Sequence, residues 1–305
     1  MIVENVARKV IFLTSVISVY FLLSLSFSYA EESITECEEC KATYIPGETK
    51  DVSALVITDK DCSFCDVGKP QDILKNNFAG IKFKVIDYRK KQAKNLIAKH
   101  KIQTLPSFLI DSLVKEEKNF EKIAFIFEGK NEKKLSLMKE LTGICLYLKR
   151  KEIGKKIDLF LDLYEEGASE ILDSLISFSK ENEISLDLHF IISQEKKVGY
   201  PKEEIRVALA IQELYSNEFN DYVYRRIKDI VDCSWIDTAE KEGLNYKEIR
   251  GLMTSPGMDQ LVSNNQELAE ELMVGDGNVI LINNNKIFKI FNIDKKELKS
   301  FFKGG

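Results

Sequence analysis

Ser53-Ala54-Leu55-Val56-Ile57-Thr58-Asp59-Lys60-Asp61-Cys62-Ser63-Phe64-Cys65 is an apolar run from Ser53 to Thr58 followed by two thiols separated by two residues. A helical pattern comes next, expected from about Cys65 to Phe78 and stopping at Gly80, a residue suited to a helix C′ position. Two thiols at a strand-to-helix junction are the working part of a dithiol exchange centre. A helix N-terminus carries unsatisfied N–H groups and about half a positive charge, which stabilise the thiolate that attacks disulfides. Cys62, the outer sulfur, is then the expected nucleophile, and Cys65, about a turn inward, the thiol that resolves the mixed disulfide. The plainer reading is a structural disulfide, although so short a loop adds little loop-closure stabilisation.

Working outward, 305 residues suit two domains once any leader is set aside. A hydrophobic fraction of 44% and a charged fraction of 30% are those of a globular chain. With 44 basic and 49 acidic side chains the net charge is −5, which gives no electrostatic case for binding nucleic acid. Residues 1–30 read as an export signal: Arg8 and Lys9, an apolar run from Val10 to Phe27, then Ser28-Tyr29-Ala30, with cleavage expected before Glu31. The run is also near the ~20 residues that span a bilayer, so a retained anchor is the alternative. Either way the rest of the chain is expected outside the cytoplasm, in the periplasm or secreted.

Six cysteines are few for an exported chain of this length, and they fall as two pairs, Cys37/Cys40 and Cys62/Cys65, with Cys145 and Cys233 alone. Residues 31–52 are acidic and turn-rich and read as a linker. Within them Cys37-Glu38-Glu39-Cys40 lacks a preceding strand, and its glutamates oppose thiolate formation. A plain disulfide and an auxiliary redox pair both fit, and a zinc site shared with Cys62/Cys65 lies just outside the usual spacing.

Past the dithiol, Ile81, Phe83 and Val85 alternate with lysines as a strand, and a helix is expected from about Arg89 to His100. Thr104-Leu105-Pro106-Ser107-Phe108-Leu109-Ile110 is an apolar strand opened by a proline, where the missing N–H is tolerated. Ile123 to Phe127 reads as a further strand and Glu132 to about Leu148 as a closing helix, with Leu135, Met138 and Leu141 on one stripe. The resulting order, βαβαββα with a dithiol ending the first strand and a proline at the third, resembles the thioredoxin fold over about Ser53 to Leu148. The resemblance implies that Cys62 attacks, that Cys65 resolves, that Pro106 is a cis-proline facing the dithiol, and that the backbone of Leu105 meets an extended substrate. Pro106 as an ordinary edge-strand proline is the plain alternative.

The sequence departs from that family in its electrostatics. Val56 stands where thioredoxins carry a buried acid, Asp61 precedes the first cysteine, and Phe64 offers no hydrogen-bond donor. These departures lead to the expectation of a less acidic nucleophile and a more reducing couple than a strong oxidase has.

Beyond a basic stretch, Lys149 to Lys156, taken as the linker between domains 53–150 and 151–305, the pattern restarts. A strand (Ile157–Leu163), a helix (Ser169–Ser179) and a strand (Ile184–Phe190) precede a helical insert at about 200–272, and a hairpin about Asn283-Asn284-Asn285 and a last helix follow. An α/β chain of two tandem thioredoxin-like folds, the second with a helical insertion, is similar to the Dsb-type disulfide oxidoreductases in that second half. Its catalytic positions do not survive: Glu165-Glu166-Gly167-Ala168 replaces the dithiol and Gly277-Asn278 the threonine and cis-proline, so a structural or partner-binding role is expected.

Cys145 reads as a small buried hydrophobe on the closing helix, and Cys233 as a free thiol or a partner for Cys145. His100 suits a helix C-terminus, and His189 has no neighbour in sequence that suggests a metal or a triad. The reading that results is an exported thiol-disulfide oxidoreductase, a reductase or isomerase in preference to an oxidase. It needs no bound cofactor or metal, but it needs protein substrates with thiols or disulfides and a membrane or periplasmic redox partner. Its rival is a non-catalytic binding or assembly protein with fixed disulfides.

Overall fold

The computed structural model describes residues 52–62, 64–129, 134–191, 201–275, 277–290 and 294–302. The expectations for residues 1–51, namely the leader or anchor, the linker and the Cys37/Cys40 pair, lie outside the described residues. No described helix is long and apolar enough to cross a membrane.

β1 (Ser53–Thr58) runs parallel to β2 (Lys82–Asp87) and antiparallel to β4 (Ser107–Asp111). β6 (Lys134–Leu137) and β5 (Phe127–Glu128) complete a five-stranded sheet in the order β2-β1-β4-β6-β5. Helices α1 (Gly68–Asn77) and α2 (Lys91–Lys99) are the crossovers. The alternation of side chains along β1 gives the sheet two apolar faces. Ala54 and Val56 pack with Leu74, Phe78 and Phe108 on one side, and Ile57 packs with Ile86, Leu105 and Leu109 on the other.

The second half repeats the arrangement. β8 (Lys156–Leu161) lies parallel to β9 (Ser185–Phe190) and antiparallel to β10 (Val279–Ile282), which pairs with β11 (Lys286–Lys289). α5 (Ala168–Asn182) crosses from β8 to β9, and α11 (Lys295–Ser300) closes the unit. Both halves therefore carry the strand order second-first-third-fourth that the thioredoxin-like pattern implies. The expected insert is helical throughout its described part: α6 (Pro201–Leu214), α7 (Phe219–Asp229), α8 (Trp235–Lys241), α9 (Tyr246–Met253) and α10 (Pro256–Glu271). The side chain of Asn265 on α10 closes the backbone of β9, accepting from the N–H of Phe190 at 2.9 Å and donating to its carbonyl.

The closing helix expected from Glu132 to Leu148 does not form. β6, a single helical turn α4 (Lys139–Thr142), and β7 (Leu146–Tyr147) take its place. Leu135, Met138 and Leu141 fit a helical stripe, but Leu135 and Leu137 alternate equally well, and both are buried against β4 and β5. Gly143, at φ +67°, then turns the chain out of α4. The strand expected from Ile123 to Phe127 is mostly helical as well. α3 (Phe120–Ile123) and a 3₁₀ turn (Ala124–Ile126) leave only Phe127–Glu128 extended.

The two sheets share chain. β3 (Thr104–Leu105) pairs with β7, and β7 with β11, so the second sheet runs β3-β7-β11-β10-β8-β9. The backbone passes from one sheet to the other at the Leu105–Pro106 bond, which is cis. The basic stretch after β7 is docked: Arg150 donates from Nε to the Asn284 carbonyl at 3.0 Å, and the Ile153 N–H donates to the Asn283 carbonyl at 3.0 Å.

Candidate functional site: a three-sulfur cluster

The loop after β1 is built by local polar contacts. The Cys62 N–H donates to the Asp59 carbonyl at 3.3 Å and the Cys65 N–H to the Cys62 carbonyl at 3.4 Å, so the two cysteines close one tight turn. α1 starts only at Gly68, three residues after Cys65, which corrects the expectation of a helix beginning at the dithiol. Pro70 supplies the reason. It has no N–H and its ring clashes with the carbonyl four residues earlier, so it is tolerated in a first turn and not inside a helix. Asp66 fixes the entry by accepting from the Gly68 N–H at 2.7 Å. The sulfurs thus sit in a turn ahead of the helix, and the stabilisation of a thiolate by a helix end, which falls off within the first turn, is weakened.

Charge around the loop is arranged by Arg89. Its Nη2 lies 2.6 Å from Asp87 Oδ2, 2.6 Å from Asp61 Oδ2 and 3.3 Å from Asp59 Oδ1. Asp87, at the end of β2, also accepts from the backbone N–H of Lys60 at 3.1 Å. The Arg89 side-chain hydrogen bond holds the Asp87 carboxyl well below the usual carboxylate range, against the opposing pull of burial. Asp61, read from the sequence as a bare negative charge beside Cys62, is therefore paired. Three carboxylates still face one guanidinium. Val56 is fully buried.

Phe64 has a role that the sequence did not reveal. Its ring lies flat on Phe288 of β11, with centroids 4.1 Å apart, and it contacts Phe301 at 5.9 Å. The hairpin and last helix of the second half therefore hold the turn that carries the two cysteines.

Cys145 is buried as expected, but it lies immediately before β7 and not on a helix, and its partner is not Cys233, which is free. Cys65 is brought into disulfide-bonding reach of both Cys62 and Cys145, each pair with Cα atoms 5.5 Å apart. All three Sγ atoms lie within 4.8 Å of one another. Both backbone groups of Cys145 are used: its N–H donates to the Leu105 carbonyl at 2.7 Å and its carbonyl accepts from the Ile287 N–H at 3.0 Å. Cys145 is buried at 4% exposure, whereas Cys62 and Cys65 are partly buried against the same apolar cluster of Ile57, Ile86, Leu105 and Leu109.

Pro106 and Leu105 are both buried, and the Leu105 backbone pairs with Leu146. The edge expected to receive an extended substrate is thus filled by the chain's own β7, a two-residue strand that bridges β3 and β11.

No family model matches the chain, and no curated protein matches it either. Solved structures do. The thiol-disulfide exchange protein alpha-DsbA2 from Wolbachia pipientis is 16% identical, with a TM-score of 0.39 over 50% of this chain and 85% of that one. The disulfide oxidoreductase DsbA from Proteus mirabilis is 15% identical, with a TM-score of 0.39 over 52% and 91%. NmDsbA1 from N. meningitidis is 12% identical, with a TM-score of 0.40 over 52% and 86%. The likeness is one of fold.

In the second half, α5 begins at Ala168, at the place corresponding to the dithiol, with Gly167 as its N-cap and no cysteine. Asn278, in the place of the cis-proline, is buried and accepts from the Asp162 N–H at 3.1 Å. His189, which suggested no partner in sequence, has Nε2 2.9 Å from Asp158 Oδ1 and its ring over Phe160. Only the β8–β9 register, Phe160 opposite His189, brings these together.

Proposed function

We propose that the chain is an exported thiol-disulfide oxidoreductase that exchanges disulfides with protein substrates through Cys62 and Cys65. The observation that carries this reading is the placement of the two sulfurs, Cys62 outermost and Cys65 behind it, in a turn at the end of the interior strand β1. A Cys62 thiolate attacks a substrate disulfide, one substrate sulfur leaves as a thiolate, and Cys65 then displaces the other to close Cys62–Cys65. A redox partner returns the pair to its dithiol form. Reduction or isomerisation is favoured over oxidation, because Asp59, Asp61 and Asp87 outnumber Arg89 and the helix end is withdrawn, conditions that disfavour a stabilised thiolate. In this reading the first half is the redox unit and the second, without cysteines at the matching positions, is a scaffold and partner surface.

One observation favours the rival reading, a binding protein with a fixed disulfide: the backbone edge beside Pro106 is occupied by β7. Insulin reduction by the full chain, driven by dithiothreitol, separates the two. Under the exchange reading Cys62→Ser abolishes activity and Cys65→Ser accumulates mixed disulfides on Cys62. Wild-type activity in Cys62→Ser rejects it.

A further inference from the structure

We infer that Cys145 is a third redox-active cysteine, one that takes the disulfide from the Cys62–Cys65 pair inward and frees Cys62 again. The inference rests on the exchange reading above for its purpose, but not for its geometry. One sulfur forms one disulfide at a time, so a Cys65 placed equally for Cys62 and for Cys145 defines two alternative bonds, each spanning a Cα separation of 5.5 Å within the ordinary range for disulfides. The step between them is internal and balanced. The Cys145 thiolate attacks Cys65 Sγ, the Cys65–Cys145 bond forms, the Cys62–Cys65 bond breaks, and Cys62 leaves as a thiolate carrying the electron pair. No oxidant or reductant is consumed.

Three independent features support the assignment. The first is that Cys145 is fixed on both sides of its backbone, by Leu105 and by Ile287, so its sulfur is held at the cluster without the entropy of searching for it. Burial supplies the second: Cys145 is enclosed while Cys62 is partly exposed, so a disulfide passed inward is screened from solvent thiols and the outer nucleophile is restored. The third is topological. β7 occupies the strand position beside Pro106 where the fold resemblance puts an extended substrate, so the chain presents Cys145 to its own dithiol as a substrate would be presented. With the disulfide stored at Cys65–Cys145, Cys62 has no resolving partner. Its mixed disulfides then wait for a substrate thiol, which is the behaviour of an isomerase.

The test uses the wild-type full chain oxidised to a single disulfide within the cluster, treated in the native state with iodoacetamide and mapped by mass spectrometry without reduction. The relay gives alkylated Cys62 together with a Cys65–Cys145 linked peptide, at a rate independent of protein concentration. Cys145→Ser slows Cys62 alkylation in the oxidised protein at least about tenfold. A wild-type product with only a Cys62–Cys65 peptide and unmodified Cys62 overturns the relay and leaves the exchange reading intact. Loss of the exchange reading shows separately, as wild-type insulin reduction in Cys62→Ser.

Discussion

Phe64, between the two cysteines of the dithiol turn, lies within 1° of parallel to Phe288, which belongs to a strand more than two hundred residues later in the chain. The contact ties the chemistry of the first half to the hairpin of the second. Stacked aromatic pairs contribute about 0.5 to 1.5 kcal/mol beyond the area they bury. Phe64→Ala is expected to lower stability by about 2 kcal/mol, and a double-mutant cycle with Phe288→Ala to show a coupling of about 1 kcal/mol. Urea unfolding of the four proteins measures both, and strictly additive losses refute the coupling.

Among the described residues, Arg89 is the cation that pairs with Asp59, Asp61 and Asp87 beside the dithiol. Removing it leaves three carboxylates against any thiolate that forms in the turn. In the reduced protein, Arg89→Gln is expected to slow alkylation of Cys62 at neutral pH by about three- to tenfold. Asp61→Asn acts in the opposite direction and more weakly, because its charge is already paired. Equal or inverted effects in the two variants contradict this account.

The same cluster carries a pH signature. The Arg89 hydrogen bond depresses the Asp87 carboxyl in the folded chain relative to its ordinary value. A depressed acid contributes stability that is complete above the unfolded carboxylate value and is lost as the pH falls towards the folded one. The wild type should lose stability steadily below about pH 4, and Asp87→Asn should flatten that part of the curve. Parallel acid limbs for the two proteins, followed by fluorescence of Trp235, exclude Asp87 as a contributor.

The strands were legible because β1, β4, β8 and β10 are short apolar runs buried along most of their length, whereas β2 and β9 alternate apolar with polar residues. Two local signals were present and outweighed by apparent helical periodicity. Pro70 forbids a helix starting at Cys65, and Leu135 and Leu137 alternate through what reads as a helical stripe. The three-sulfur cluster is another matter. Cys145 reaches Cys65 across 80 residues only because β7 is pinned between β3 and β11, and that pairing draws one strand from each half. Propensity within a window carries no trace of such a contact, and the stacking of Phe64 on Phe288 is hidden for the same reason.

Arg226 and Glu204 are almost wholly enclosed in the helical insert and meet through two hydrogen bonds, Nη2 to Oε1 at 2.7 Å and Nε to Oε2 at 2.8 Å. Arg226 also donates from Nη1 to the carbonyl of Cys233 at 2.7 Å, which anchors the chain where it leaves α7 for α8. Breaking a buried pair from one side leaves a charge without a partner, at a cost of about 3 to 5 kcal/mol. Arg226→Met is therefore expected to fall in that range, and the double variant Arg226→Met with Glu204→Leu to recover a large part of it, since an apolar pair of similar volume carries no desolvation cost. Among the described residues, the insert makes no hydrogen bond or ring contact to Cys62, Cys65 or Cys145, so the alkylation rate of Cys62 in the folded, reduced variant should match the wild type. A rate that moves with Arg226→Met while the protein remains folded would show that the insert, and not only the hairpin carrying Phe288, controls the dithiol.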